Sequence, residues 1–452
     1  MVQRYRAKPG QWVGSRWRMG ERSGGASPQK EPGHNGAVLD VSFARSQFPA
    51  LALPAYERGS FFENAGGSLA CSQTIDALHR HYLETRVQPY AGYGPSAAAG
   101  QAMDASRRRW AEALGVAADE VQFGPSTSMN TYVLAQAFAA VLGPGDEVVV
   151  TNQDHEANTG AIRRAAERAG ATLREWRTDP TTGLLSLDVL ADLMGPRTRL
   201  VTMPHASNIV GQENDVAAAA ALAHRVGARL VADGVSYAPH GFPDVAALDA
   251  DVYLFSLYKT YSVHQGLMVT RNGILDELPN QGHVFNAALP SKRLTPAGPD
   301  HAQEAAAGAV LDYVELLHRH HGGVAAEGLR AASAAVSALW RAHEAALVAP
   351  VLAWLAACPS VRLLGPVSVA EAGLLHRCPT VAFVPRDREP AEVAADLVAR
   401  GVWCSAGHFY AYRVLQGLDV DPDRGVVRLS WVHYTSPADI ERLLTALADV
   451  LG

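Results

Sequence analysis

The sequence predicts an α/β protein whose larger part is an open, mostly parallel sheet with helices on both faces. Two observations carry this. From about residue 100 to 270, short β-branched runs alternate with longer alanine-rich stretches of helical spacing, and those stretches end in glycine, a common helix stop. Repeated strand–helix–strand units of this kind build a parallel sheet covered on both sides. At 452 residues the chain is also too long for one small core, so a second, smaller domain is expected.

The elements follow in order. The first 36 residues are rich in Gly, Arg, Ser and Lys without apolar periodicity, and read as a disordered tail. A basic RNA-binding arm is the sharper alternative there, and Met19 offers a second start. "FGPSTSMNT" (123–131) joins a short apolar run to a helix through Ser126, Thr127 and Ser128. "DEVVVT" (146–151), "TRLVTM" (198–203), "ARLVAD" (228–233) and "DVYLFS" (251–256) read as buried parallel strands. "HEANTGAIRRAAERAG" and "DVAAAAALAHRVG" are the helices between them.

Composition excludes several classes. A hydrophobic content of 48% with 19% charged residues is that of an ordinary soluble protein, and a net charge of −6 provides no basic field for nucleic acid or anionic membrane. No apolar run reaches the roughly 20 residues that span a bilayer, and the N-terminus has no apolar signal core. Cys71, Cys358, Cys378 and Cys404 lie far apart without CxxC spacing, which fits a reducing compartment and argues against zinc. The expected location is the cytoplasm. "HRHHGG" (318–323) closes a helical stretch, where cationic side chains suit the helix dipole, so no metal is expected.

In open α/β sheets, ligands sit beyond the carboxyl ends of strands. His155, Ser207–Asn208, Asp233, Ser256 and Lys259 all fall there. Lys259 stands out, because the chain holds only four lysines (Lys8, Lys30, Lys259 and Lys292) against many arginines. A lysine amine can lose its proton and act as a nucleophile, which a guanidinium cannot. Ser126–Thr127–Ser128 sit at a helix start, whose free N–H groups and positive dipole end suit a phosphate. Taken singly, each has an ordinary reading: a solvated lysine, an N-cap serine, a helix-start histidine, or a ribose-binding aspartate, the last without the strand-linked GxGxxG it needs. Together they ask for a ligand with a phosphate, an aromatic ring, a basic ring nitrogen and a carbonyl. Pyridoxal 5′-phosphate has all four, and an aspartate that keeps its ring nitrogen protonated makes the ring an electron sink.

From "FENAGGSLA" (62–70) to the C-terminus the sequence resembles the class V aminotransferase family of fold-type I pyridoxal-phosphate enzymes, in its cysteine-desulfurase-like branch. The motifs are "GDEVVVTNQDHEAN", "HASNIVG", "VADGVSYAPHG", "FSLYKTYSVHQG" and "VVRLSWVHYTS". The resemblance implies a fold-type I transferase with its cofactor domain at 71–300 and a smaller α/β domain at 301–452, which the segment 37–70 joins. It implies Lys259 as the Schiff-base lysine, Asp233 at the pyridine nitrogen and His155 stacked on the ring. It further implies Asn208 near the phenolic oxygen, Ser126, Thr127 and Ser256 around the phosphate, and Arg428 as a fork for the substrate carboxylate, with Asn64 the next candidate for that group. A homodimer is implied as well.

The chain departs from the family at three places. Ser236 stands three residues after the aspartate, where Gln or His is common, and Tyr258 precedes the lysine in place of His. In the "AGHFYA" loop, Tyr410 occupies the position of the desulfurase thiol, and a phenol cannot accept sulfur as a persulfide. Cys404, six residues earlier, reads as a buried structural thiol. The expected activity is aminotransfer on a small L-α-amino acid, with Lys259 as base at Cα. The alternatives are β-elimination by a C–S lyase, epimerisation with Tyr410 or His408 as second acid, and a silent binding protein on the same fold.

Overall fold

The computed structural model describes residues 38–271, 273–368 and 377–452. The tail expected over residues 1–36 lies outside the described residues. The strands are β1 (Ser60–Phe61), β2 (Val121–Gly124), β3 (Glu147–Thr151), β4 (Thr172–Trp176), β5 (Thr198–Pro204), β6 (Arg229–Asp233), β7 (Val252–Ser256), β8 (Gly266–Thr270), β9 (Val361–Leu364), β10 (Thr380–Pro385), β11 (Val402–Trp403), β12 (Ser405–Gly407) and β13 (Val426–Ser430).

The large sheet runs β2-β8-β7-β6-β5-β3-β4. Strands β3 to β7 are mutually parallel, and β8 is antiparallel to both of its neighbours. The segment 257–265 between β7 and β8 is too short for a crossover helix, so β8 must return antiparallel. The four strands expected from β-branched runs form within a residue of their expected ends. Their middles are apolar because both faces are covered. Val148 and Val150 pack with Val133, Leu134, Phe138 and Ile162 on one side, while Val149 and Val201 pack with Trp110, Ala219 and Ala223 on the other.

The C-terminal sheet is antiparallel, in the order β12-β13-β10-β9. Its core gathers Val381, Phe383, Val427 and Leu429 with Leu347, Leu355, Leu443 and Leu447 from flanking helices. A two-stranded parallel pair of β1 with β11 lies beside it. The helix Gly328–Ala357 contributes to both cores. Leu329, Val336 and Trp340 belong to the large core, and Leu347 to Leu355 to the small one. The helices His301–Ala307 and Val310–His320 likewise pack on the large core. The segment 37–70 is shared between the cores, with Leu39, Ala44 and Phe48 in the large one and Phe62 in the small one.

The histidines of "HRHHGG" serve as helix-end partners: His318 pairs with Glu327, His320 with Asp40 at 2.9 Å, and His321 Nδ1 bonds the Leu317 carbonyl at 2.9 Å. No helix among the described residues is long and apolar enough to cross a membrane.

Candidate active site

A cavity of about 590 Å³ opens beyond the carboxyl ends of β5, β6 and β7, and residues of the C-terminal domain close its far side. Its sheet-side wall is built from strand ends. Lys259 ends a short helical turn after β7, whose residues are all buried. The turn is closed by Leu257 N–H to the Gln265 carbonyl (2.8 Å) and by Thr260 and Ser262 N–H to the Leu257 carbonyl (2.9 and 3.1 Å). Tyr261 follows with φ +68°, a strained left-handed value, and is held by Ser68 Oγ on its N–H (2.8 Å) and by its own hydroxyl on the Pro239 carbonyl. The Lys259 amine is buried, and burial together with the Arg428 charge lowers its pKa to about 8, against the opposing pull of Asp233 and Glu63. It makes no hydrogen bond among the described residues.

Asp233 ends β6. One carboxylate oxygen accepts the Val235 N–H at 2.8 Å, and the other has no partner among the described residues. Burial raises its pKa to about 6, offset by the Val235 N–H and by Lys259. His155 caps the helix Glu156–Ala169, its Nδ1 accepting the Ala157 N–H at 3.0 Å. Burial, with the Lys259 and Arg428 charges, lowers its pKa to about 3, so the ring is a neutral imidazole with its proton on Nε2.

Ser126 caps the helix Thr127–Ala139 by accepting the Met129 N–H at 3.2 Å. The N–H groups of Thr127 and Ser128 have no partner among the described residues and lie at the cavity edge, where Thr127 Oγ1 and Ser256 Oγ are 2.8 Å apart. Gly266 permits the close approach of β8 to this helix start. A Cβ there would lie 2.4 Å from the Ser126 carbonyl carbon. Ser236 also lines the cavity.

The opposite wall mixes loops from distant parts of the chain. Arg428 on β13 is buried. Its Nη2 donates to Glu63 Oε1 at 2.9 Å, its Nη1 to the Asn208 carbonyl at 3.3 Å, and its guanidinium lies 3.8 Å over the Phe409 ring. Asn208 donates to the Phe409 carbonyl at 2.9 Å, and its Oδ1 is buried without a partner among the described residues. The neighbouring Ser207 hydroxyl instead closes a turn by accepting the N–H groups of Ile209 and Val210. Phe409 and Tyr410 both have positive φ, +49° and +59°, and the Tyr410 carbonyl accepts the Glu156 N–H at 2.8 Å.

Three expectations change at this wall. Asn64 does not reach the cavity. Its amide donates to the Phe61 and Ser430 carbonyls at 3.3 Å and its oxygen accepts the Tyr434 hydroxyl, so it ties the N-terminal segment to β13. His408 also lies off the lining, with Nδ1 accepting the Tyr410 N–H at 3.0 Å, while Tyr410 borders the cavity with most of its side chain exposed. One arm of the Arg428 fork, Nη2, is already engaged by Glu63. Glu63, Phe409, Tyr258 and the His264 ring stacked on Tyr258 at 4.6 Å also line the cavity, and of these only Tyr258 had been singled out in the sequence. Cys404 is in the C-terminal core and off the cavity, and burial pushes its thiol up to about 12.

A doubly covered parallel sheet with one antiparallel strand, a small antiparallel domain and a cavity at the strand ends define a fold-type I pyridoxal-phosphate enzyme. The chain belongs to the aminotransferase class-V family, whose description matches residues 60–283. It is 32% identical over 91% of its length to the aminotransferase-like protein FGM3 of Gibberella zeae, covering 99% of that protein. It is 31% identical to a probable cysteine desulfurase of Mycolicibacterium paratuberculosis over 91% of this chain, but spans only 58% of that longer protein. Among solved structures, the apo cysteine desulfurase of Thermococcus onnurineus NA1 shares the fold with a TM-score of 0.78 at 22% identity, over 92% of this chain and 99% of that one.

Enzymes of this family use pyridoxal 5′-phosphate. The residues present fit it: free N–H groups and hydroxyls for a phosphate, an unpaired carboxylate oxygen for a ring N–H, a neutral ring to stack, an orphaned Asn208 oxygen, and a buried amine for an aldehyde.

Proposed function

We propose that the chain is an aminotransferase acting at Cα of an L-α-amino acid, and that the residues of the sheet-side wall hold its cofactor. The observation that carries this reading is a buried amine of lowered pKa on a cavity wall that, among the described residues, bears no thiol. Thr127, Ser126, Ser256 and the first N–H groups of the helix hold the phosphate, Asp233 takes the ring N–H, and His155 covers the ring. Asn208 and Ser236 face the ring's remaining edge. Bound there, pyridoxal phosphate would supply an electron sink for the charge left at Cα when a substrate loses its proton.

The chain's own residues do the rest. Arg428 orients the substrate carboxylate, and Phe409, packed on its guanidinium, excludes water from that contact. Lys259, with a pKa of about 8, is suited to take up and give back a proton near neutral pH, which is all that transamination asks of it.

β-Elimination is the second reading. It is favoured by Tyr410, which borders the cavity with its ring centroid 5.2 Å from that of His155 and would hand a proton to a group leaving Cβ. The names of the relatives, an aminotransferase-like protein and cysteine desulfurases, span both outcomes. A homodimer is part of this proposal. Exposed Met129 and Tyr132, on the helix that borders the cavity, and exposed Val284 and Phe285 offer it an apolar surface. So is the cytoplasm, since all four cysteines are free.

The deciding experiment incubates the purified, cofactor-loaded protein with a panel of amino acids and identifies products by mass spectrometry. A keto acid with pyridoxamine phosphate is expected. Ammonia with pyruvate from cysteine or serine would replace transamination by elimination, and a change of configuration without other products would replace both by epimerisation.

A further inference from the structure

Glu63 and Arg428 meet because of register. Glu63 is bridged in parallel to Ser430, with Asn64 N–H on the Ser430 carbonyl and Ser430 N–H on the Phe62 carbonyl, so the segment after β1 lies along β13. Successive side chains on such a segment point to opposite faces. Asn64 turns to Tyr434 while Glu63 turns to the cavity and Arg428. Gly66 completes the seat, since a Cβ there would crowd Glu63 Oε1 at 3.0 Å, and the Gly66 N–H bonds the Glu63 carbonyl at 2.9 Å.

Holding Arg428 occupies one oxygen, Oε1. The other, Oε2, is buried and has no partner among the described residues, although Glu63 lines the cavity. A buried carboxylate oxygen without a donor is costly, and a ligand that brings one removes the cost. The surroundings select the kind of donor. The rings of Tyr258 and Tyr410 line the same cavity, and Glu156 adds a second carboxylate that is paired with Arg413. Aromatic faces beside a carboxylate suit a cation.

We propose that Glu63 is a specificity-determining residue that receives a cationic group on the substrate side chain, so that the preferred substrate is a diamino acid. This rests on the reading of the cavity as an amino-acid site. In the complex the α-carboxylate lies at Arg428 and the distal ammonium at Glu63 Oε2. Recognition then uses both ends of the substrate.

The test titrates the holoenzyme with ornithine, lysine, alanine and glutamate, following the cofactor's absorbance at equilibrium and the thermal midpoint beside it. A charge-assisted bond predicts that ornithine or lysine half-saturates at a concentration about ten-fold or more below alanine. Glu63→Gln, which keeps the shape, is expected to erase that preference, so that ornithine, lysine and alanine half-saturate within about three-fold of one another. Glu63→Asp is expected to restore part of it. Preference of the unaltered enzyme for glutamate or alanine overturns the proposal. An equal loss for every amino acid in Glu63→Gln also overturns it, by reducing Glu63 to a positioning residue for Arg428. A holoenzyme whose absorbance responds to no amino acid at all would instead remove the amino-acid reading itself, and the proposal with it.

Discussion

The two walls of the cavity are made differently. On the sheet side, Asp233 and Lys259 follow directly from β6 and β7, and His155 and Ser126 cap helices entered just after strands. Each position is set by local chain geometry, and the bonds that Asp233, His155 and Ser126 do make go to backbone N–H groups close in sequence. On the far side, Arg428, Glu63, Asn208 and Phe409 come from four separate parts of the chain and hold one another through side chains. The first wall is a scaffold fixed before any ligand arrives. The second is a network of mutual contacts in which one carboxylate already answers the guanidinium, so its members are the ones that a change of substrate would alter. Chemistry common to many reactions belongs on the first wall, and discrimination between substrates on the second.

The sharpest way to break this division is at Lys259. Lys259→Ala is expected to abolish turnover, a loss of at least the roughly 10²- to 10⁴-fold that a positioned base contributes. Borohydride treatment of the unaltered holoenzyme should fix the cofactor to the peptide containing Lys259, read by peptide mass spectrometry. Label on Lys292 would move the chemistry off the strand-end wall altogether.

Arg428→Lys tests the far wall. Lysine keeps the charge but loses the fork, and a charge-assisted pair in a desolvated site is worth about 1.5–3 kcal/mol, so kcat/KM should fall about 10- to 100-fold. Cofactor affinity, measured by absorbance titration, should stay within a few-fold, because Arg428 lies on the substrate side. Loss of cofactor with an unchanged KM in the remaining holoenzyme would put Arg428 on the other wall.

The same contrast explains what the sequence could reveal. Strands buried on both faces leave uninterrupted apolar runs, so β3, β5, β6 and β7 and the polar residues at their ends stood out. The edge strand β4 is half exposed and did not. Glu63 was invisible because its partner is 365 residues away. Beside it, Asn64 looked the better polar candidate, and only the bridge to Ser430 decides which of the two faces the cavity. His408 lies off the lining that Tyr410 borders, beside two left-handed residues that no composition announces. The sharing of Gly328–Ala357, one unbroken helix, by both cores was hidden as well.

A smaller effect on turnover is expected behind the sheet-side wall, at Asp154. Its carboxylate is buried, accepting from Asn158 Nδ2 at 2.7 Å and Thr151 Oγ1 at 2.9 Å. Burial and the nearby Asp233 charge raise its pKa to about 7, despite those bonds and the Arg163 charge. A folded pKa above the unfolded value gives stability that is complete below about 4 and is lost as pH rises through about 7. At pH 8 the apoprotein therefore carries an ionised, poorly solvated group, a penalty on the order of a few kcal/mol. Asp154→Asn keeps an acceptor for Asn158 and removes that charge. Its thermal midpoint should fall less between pH 5 and pH 8 than that of the unaltered apoprotein. Parallel pH curves for the two would mean that Asp154 is solvated and that the wall is not tuned from behind.

The smallest effect belongs to Cys404, which sits between β11 and β12 on the substrate-side domain and tests whether that wall has any part in sulfur chemistry. The thiol is packed in the core around Phe383 and Leu429, and its pKa near 12 leaves almost no thiolate at neutral pH. Neither property suits a residue that must attack sulfur on a substrate and carry it away. The cavity meets Tyr410 instead, whose oxygen cannot hold a persulfide. Cys404→Ala should therefore leave kcat/KM within about two-fold and cost only packing, about 1 kcal/mol of stability in denaturant titration. Turnover with cysteine should leave no sulfur on the protein. Detection by mass spectrometry of a persulfide on Cys404, together with loss of activity in Cys404→Ala, would mean that the C-terminal domain opens far enough to expose its core thiol. The far wall would then be a moving part, and desulfuration would replace transamination as the reading of the site.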